Sequence, residues 1–511
     1  MKIPPFFPAL LILVSAVPAF PDPGVATPPR EITMRECVAV ALRNNIDVAV
    51  SRSERKAVEL VVPLEEAAFL PRFTGDFSYS RSIGPTGSSI TGTLTIDQST
   101  WNFDAGVREL LRSGTTLSLD FENQRQEAGT ALSLFNPEYS TALTLSAHFP
   151  LLKGSGKLVT EAPLSIARAG AEAATGDWLV MVMDIIARAR TSFLAFYAAS
   201  REVEVKRTAL SLAEQLLEQT GARIEAGMSA PVDRLFAEAA VASRKEELLR
   251  AEAAAQNAED DMKNVLGLRA DENWEERLVP VPPPDLPSPP GPDDTFEEAL
   301  RRRPEVTALS ARERQMEIHE AVARQEILPD LSLTTSAGLS GLAGTPYPNP
   351  FFPGGGTDFE GGYGTSLDEM FSGRYYNWFV GLSTEIPWKY DRERAEWARA
   401  RSALEQQRLR GESLHARIRS EVRKARRNLA SALERIDAAA ASVAAANGKL
   451  EAEERRLALG ASTTTQVLEF QQDYAQALLA ELTARTDAHV SQTRLWRSVG
   501  TILEKEGITV R

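Results

Sequence analysis

The sequence is written twice. Leu42 and Leu300 each lie 28 residues ahead of a Leu-Pro pair, Leu70-Pro71 in the first half and Leu328-Pro329 in the second. The contexts agree, "ALRNNIDV" with "ALRRRPEV" and "AAFLPRFTGDF" with "QEILPDLSLTT". Further along, Gly227 and Gly460 each follow an arginine-containing helical stretch, and each precedes another glycine, Gly267 or Gly500, by 40 residues. Each copy runs to roughly 200 residues, far beyond solenoid periods. The chain therefore reads as a duplicated domain forming one pseudo-symmetric body. A length of 511 residues would otherwise suggest about three domains.

The net charge of −13 disfavours nucleic acid as the main partner, because phosphate binding needs a dominant basic face. It fits either a soluble surface or a cation-tolerant channel. The segment MKIPPFFPALLILVSAVPAF has a basic residue, Lys2, an apolar stretch and small residues near Val17-Pro18-Ala19. It reads as a secretory signal peptide over 1–19, with cleavage as late as 26; an apolar N-terminal anchor is the other reading. No later run reaches the ~18 apolar residues of a membrane helix. With Cys37 as the one cysteine no internal disulfide can form, and a buried small apolar role is expected for it.

Hydrophobic spacing predicts a helix over 31–68, with Pro63 and Pro71 interrupting or ending it. The period then changes to two. Phe73, Phe77 and Tyr79 alternate with Thr74, Asp76 and Ser78. Strands are expected at about 70–82, 140–149, 329–339 and 378–386, with possible extra strands near 94–96 and 115–121. Segments 83–139 and 341–377 otherwise receive no role. Proline-free, Ala/Leu/Glu/Arg-rich runs predict helices over 164–230 and 391–459, each about 100 Å long. Both reverse at a glycine, 227 or 460, into return helices. The expected organisation is repeat 1 over 31–267, a proline-rich connector over 268–294, and repeat 2 over 295–505.

The fold class expected is α+β, with two repeats that each hold two strands and a long helical hairpin. A helix this long needs coiled-coil-like neighbours to bury its apolar stripe. The predicted strands are close to the 9–11 residues that cross an outer-membrane bilayer. Four strands cannot close alone, and an open edge in lipid leaves backbone groups unpaired at several kcal/mol each. Spanning strands would thus require several protomers in one barrel. A small soluble sheet capping the helices is the alternative.

At "LPRFTGDFSYS", Leu145-Ser146-Ala147-His148-Phe149, "PLLKGSGK", "RIEAGMSAPVDRLFAEA", "LPDLSLTTSAGL", "VGLSTEIPW" and "RLALGASTTTQVLEFQQDY", the chain resembles the TolC-type outer-membrane factors. No single motif is specific, but the ordered set covers about 31–505 in both repeats. The resemblance implies a membrane protein: a homotrimer with a twelve-stranded β-barrel in the outer membrane, continued across the periplasm by an α-helical barrel. It implies an exit duct for an efflux pump or type I secretion system, with a periplasmic adaptor, an inner-membrane pump and outer-membrane lipid as partners. Gly227, Met228 and Ser229, and Gly460, Ala461 and Ser462, would be the tips where the adaptor docks. Gln466 and Glu469 match positions that ring the entrance in such ducts, with Asp233 at the corresponding offset after the first tip. Gln466 is neutral where acid is common, which puts tight cation gating in doubt. A soluble periplasmic coiled-coil scaffold or adaptor is the other functional reading.

Enzyme chemistry is not expected. His148, His319, His415 and His489 are scattered without metal-ligand spacing, and "PGGGTDFEGGYG" lacks the lysine of a phosphate loop. No cofactor, metal or nucleic acid is called for. The span 389–427 holds thirteen Arg/Lys against six Asp/Glu. A solvated helix face or pairing between helices accounts for that excess.

Overall fold

The computed structural model describes residues 30–87, 95–128, 133–268, 274, 276–283, 287–347 and 358–508. The expected signal segment lies outside the described residues. The chain opens with a short strand, β1 (Arg30–Ile32), and helices α1 (Met34–Asn44), α2 (Ile46–Glu59) and α3 (Val61–Glu66). Four strands follow: β2 (Arg72–Pro85), β3 (Thr95–Leu110), β4 (Thr116–Ala128) and β5 (Phe135–Pro150). A turn, α4 (Lys157–Thr160), leads into α5 (Ala162–Glu225) and its return, α6 (Pro231–Leu266). The second half runs β6 (Leu278–Pro280), α7 (Phe296–Arg302), α8 (Pro304–Gln325), β7 (Asp330–Pro346), α9 (Tyr363–Phe371) and β8 (Tyr376–Glu385). It ends with α10 (Asp391–Ala458), α11 (Thr464–Val499) and α12 (Ile502–Lys505). The 64 residues of α5 and 68 of α10 each make about 100 Å of helix.

The chain divides into two compact units. One comprises Met1–Arg43, Ala189–Asp285 and Ser442–Thr486, the other Asn44–Arg188, Leu286–Ala441 and Asp487–Arg511. The second unit holds a six-stranded antiparallel sheet in the order β2-β3-β4-β5-β7-β8. Its register carries the two-residue period across every strand. Phe73, Val107, Leu119, Leu145, Ala337 and Trp378 form one row; Thr74, Gly106, Asp120, Thr144, Gly338 and Asn377 form the next. Successive residues of a strand point to opposite faces, so one face is apolar and the other polar. The polar row is crowded at Gly106: a Cβ there would lie 2.7 Å from Thr74 Oγ1 and 2.8 Å from Asp120 Oδ1, and those side chains would have to shift.

Here the structure corrects the sequence reading. The first half contributes four strands rather than two, because β3 and β4 fill most of the segment that received no role. Only the short stretches 94–96 and 115–121 had suggested them, since charged and amide residues such as Asp104, Glu122 and Gln124 dilute the apolar alternation. The second correction is α9, which falls in the other segment that received no role, 341–377. Thr141 Oγ1 donates to the Ser366 carbonyl at 3.1 Å, and Tyr363 Oη to Asn123 Oδ1 at 2.7 Å. A Cβ at Gly341 would sit 1.9 Å from that same carbonyl, so only glycine lets α9 lie against β7.

Helices of this unit pack through small residues and an ion network. A Cβ at Gly176 of α5 would lie 2.9 Å from the Pro304 carbonyl and from Ala308 Cβ of α8. Ile418, Val422, Leu429, Leu495 and Val499 form a core beside Ala299. Arg303, 6% exposed, donates to Glu305 at 2.9 Å and Glu421 at 2.6 Å. Arg497 in turn meets Glu305 at 2.9 Å and Asp184 at 2.6 Å. Much of the basic excess in 389–427 is engaged in the same way: Arg408 pairs with Glu313 and Glu317 of α8, Arg426 donates to the Asp294 carbonyl, and Arg419 lies over Phe296.

The other unit is helical apart from a parallel pairing of β1 with β6. Lys206 of α5 reaches Glu247 of α6 at 2.8 Å, and Arg207 reaches Glu252 at 3.0 Å. Cys37 is fully buried, its thiol against the Ala189 carbonyl, and burial pushes its pKa up to about 12. That matches an inert packing role.

The Arg303–Glu305–Arg497 network sets an acid limit. Burial alone would raise the Glu305 carboxyl, but the Arg303 hydrogen bonds and the Arg497 and Arg303 charges outweigh it and hold it at about 2. A carboxyl depressed in the fold contributes its stability above the unfolded value near 4.5 and loses it as pH falls towards 2. Melting temperature should therefore drop between about pH 5 and pH 2, by an amount on the order of 2–3 kcal/mol in stability. Glu305→Gln should start lower and fall less steeply; thermal melts in detergent across that range measure both.

Candidate functional site

Two features have a form that function can use: the turns between the long helices and the two-faced sheet. At the first turn Gly227 takes φ +71°, its N–H bonds to the Ile224 carbonyl at 2.9 Å, and Met228 N–H bonds to the Arg223 carbonyl at 2.8 Å. At the second, Gly460 takes φ +75°, bonding to Leu457 at 2.9 Å, and Ala461 bonds to Arg456 at 2.8 Å. These are the same Schellman ending, in which a left-handed residue caps the last carbonyls and a side chain with a Cβ would be strained. Gly267 at the end of α6 repeats it, with φ +66° and bonds from Gly267 and Leu268 to Asn264 and Lys263. Return helices start by different devices. Pro231 occupies the first turn of α6, where its fixed φ suits the helix. Thr463 Oγ1 accepts from Gln466 N–H ahead of α11.

The residues singled out in sequence fall as follows. Met228 is exposed and Ser229 half-buried in the first turn; Ala461 is exposed and Ser462 half-buried in the second. Ser462 Oγ donates to Glu453, which also holds Arg456 at 3.1 Å. Gln466 and Glu469 stand exposed on the first turns of α11, three residues apart and so on one face. Asp233 differs from both: its carboxylate accepts from Ala230 N–H at 3.2 Å and closes the start of α6. Nine residues after Gly460 stands Glu469; nine after Gly227 stands Phe236, exposed with Val232 and Leu235. The duplicated turns thus present acid and amide in one copy and apolar side chains in the other.

Sequence reasoning missed the side chain that joins them. Arg223 Nη1 donates to the Leu457 carbonyl of the second turn at 2.6 Å, while its Nε reaches Ser229 Oγ at 3.3 Å. Arg456, its equivalent four residues before Gly460, stays within its own turn and donates to the Ala461 carbonyl at 3.3 Å. The recurring arginine four residues before each glycine was a visible signal; that one reaches across and one does not was not. Leu216, Leu450, Leu457 and Val467 pack beneath this link.

On the sheet, the apolar face ends in an aromatic group and then charge. Trp101 lies 4.5 Å from Tyr79 and 5.7 Å from Phe77, and Tyr139 meets Tyr363 at 6.5 Å. Beyond this row Arg81 pairs with Asp97 at 2.6 Å, and Arg125, which stands in the row between Trp101 and Tyr139, pairs outward with Glu127. Both edges of the sheet, β2 and β8, are exposed along nearly their whole length, Phe73 to 81% and Trp378 to 71%. An apolar face closed by aromatics and charges, with unpaired edges, is the form of a membrane β-barrel segment. No helix among the described residues is long and apolar enough to cross a membrane.

A two-faced antiparallel sheet joined to long glycine-capped helical hairpins is the form of an outer-membrane channel protein. The sequence profile of the outer membrane efflux proteins matches residues 115–268 and 295–501, and the chain belongs to that family. Membership makes it an outer-membrane transport protein rather than an enzyme. No curated protein matches the sequence significantly. Among solved structures, the outer-membrane channel OprN is 18% identical with a TM-score of 0.66, over 92% of this chain and 90% of that one. A membrane protein from Pseudomonas aeruginosa is 20% identical with a TM-score of 0.65, over 91% and 92%. The Campylobacter jejuni CmeC outer membrane channel is 15% identical with a TM-score of 0.63, over 92% and 85%. At these identities the likeness is one of fold.

The Arg223 link yields a measurable asymmetry. Arg223→Met should speed amide exchange at both turns, 224–230 and 457–461, by roughly tenfold for a bond of about 1.5 kcal/mol. Arg456→Met should affect 453–462 alone. Hydrogen exchange read by mass spectrometry separates the two.

Proposed function

We propose that this efflux protein is the passive exit duct of an export system, assembled as a homotrimer and working with a periplasmic adaptor and an inner-membrane pump. A cleaved signal over 1–19 would carry it to the periplasm. The sheets of three copies would form one barrel in the outer membrane, and the helical hairpins would carry the pore across the periplasm. What supports this most directly is the pair of neighbouring rows, one apolar and one polar, running across all six strands to two unpaired edges. A soluble scaffold would expose that apolar row to water on an unfinished sheet, which invites aggregation. Family membership favours efflux over protein secretion as the task.

The turns at Gly227–Ser229 and Gly460–Ser462 are proposed as the adaptor-docking tips. Glu469, with Gln466 one turn before it, is proposed to line the entrance, where three copies would place a ring of carboxylates. Such rings set selectivity by charge. Asp233, engaged in capping α6, has the weaker claim.

Crosslinking in intact membranes should yield trimers in the outer-membrane fraction; recovery as soluble periplasmic monomer would overturn the reading. For the entrance, Glu469→Lys should lower cation preference, read as a shifted reversal potential in planar bilayers under a salt gradient. An unchanged potential would remove Glu469 from the pore.

A further inference from the structure

The inserted strands β3 and β4 carry the same two faces as the rest of the sheet. On β3, Trp101, Phe103 and Val107 stand on the apolar face, with Asn102, Asp104 and Gly106 between them. On β4, Leu117, Leu119 and Phe121 alternate with Ser118, Asp120 and Glu122. A hairpin folded into the lumen or lying in extracellular water would have no use for this alternation. Its length also suits a bilayer. From the aromatic Trp101 to the charged Glu109 there are eight residue steps along β3, or about 27 Å of strand. At a tilt of about 40° that spans roughly 20 Å along the membrane normal, close to the apolar band of about 25 Å on barrels. The hairpin is paired on both flanks: β3 to β2 over the whole of β2, and β4 to β5 from Thr116 to Gln126. It is thus part of the wall of the sheet, between the two strands that the sequence reading expected in the first half.

The edges say how such sheets join. With six strands in an antiparallel meander, β2 and β8 run in opposite directions. The β8 edge of one copy can therefore pair antiparallel with the β2 edge of the next, and the same step repeated closes a ring. Unpaired, both edges would leave backbone N–H and C=O groups in hydrocarbon at several kcal/mol each.

We propose that the β3–β4 hairpin spans the outer membrane, so that three copies close an eighteen-stranded barrel, β8 on β2 of the next copy, in place of the twelve strands that the resemblance implies. This rests on the trimeric duct reading above. Barrel diameter grows with strand number, from about 24 Å between backbones for twelve strands to about 36 Å for eighteen. The mouth is then as wide as a porin's and admits bulkier cargo than a twelve-stranded one. The inserted strands also bring Asp104, Asp120 and Glu122 to the polar, lumenal face.

Single cysteines in the full-length protein, in outer membranes, test the placement; Cys37 is buried and stays silent to polar reagents. Asn102→Cys, Glu122→Cys and Gln124→Cys should react with a membrane-impermeant maleimide. Phe103→Cys and Phe121→Cys should not react, yet a spin label at either should relax with dissolved oxygen as a lipid-exposed site does. Reaction at both sets would place the hairpin outside the bilayer and overturn the eighteen-stranded barrel while leaving the trimer intact. A monomer by native mass spectrometry would instead overturn the duct reading itself. Should a variant misfold, the unaltered trimer in planar bilayers gives a second readout. Graded polyethylene glycols added on the extracellular side should enter up to sizes that a 24 Å mouth excludes; exclusion at that smaller size would sink the proposal.

Discussion

The backbone of a strand cannot stand unpaired in hydrocarbon, and the architecture of this chain follows from that rule. Water solvates a stray amide at little cost; acyl chains do not. A six-stranded sheet with one apolar face is therefore an incomplete object by itself, whatever its internal register. Each of its interior strands is paired on both sides, while its two margins are not. In hydrocarbon such margins would be completed only by pairing with further strands, before any side chain chooses a partner.

The helical portion obeys a different rule. Long helices satisfy their own backbone except at the ends, and here the ends are closed by glycines in the left-handed region at 227, 267 and 460. Packing between helices is left to side chains. Small residues such as Gly176 permit close approach, and ion pairs such as Lys206–Glu247 and Arg408–Glu313 tie neighbours. Surface pairs of this kind are individually weak. The buried Arg303, which draws Glu305 and Glu421 together, is the stronger tie, because leaving its charge unpaired would be costly. In the first half the residue at the equivalent place is Asn45, whose side chain accepts from Asp47 and Val48 amides and caps α2. One position thus serves as a helix cap in one copy and as an ionic hub in the other.

How much of this was legible in sequence varies with the signal each element leaves. The helices were, because tens of residues without proline, rich in good helix formers, admit little else; α5 and α10 end within a few residues of where the glycines point. Strands β2, β5, β7 and β8 were, because their alternation is bold. Strands β3 and β4 were not, because a polar face of Asp, Glu, Asn and Gln makes these stretches as polar as a loop, and their pairing is visible only in register. The nine-residue α9 escaped for another reason: its place depends on Gly341 leaving room on a distant strand, which no local window reports. Of the candidate site, the turn glycines were legible from φ requirements alone. The distinction between Asp233 as a cap and Glu469 as a free carboxylate was not, since each is an acid within ten residues of a turn glycine.

The bond from Arg223 has a further property. Its acceptor is the main-chain carbonyl of residue 457, which every amino acid possesses. Drift in the side chains of the second turn would leave this tether standing, whereas a single change at 223 removes it. The two turns can therefore diverge in surface chemistry while staying fastened, so that their connection and their surface are inherited through separate residues.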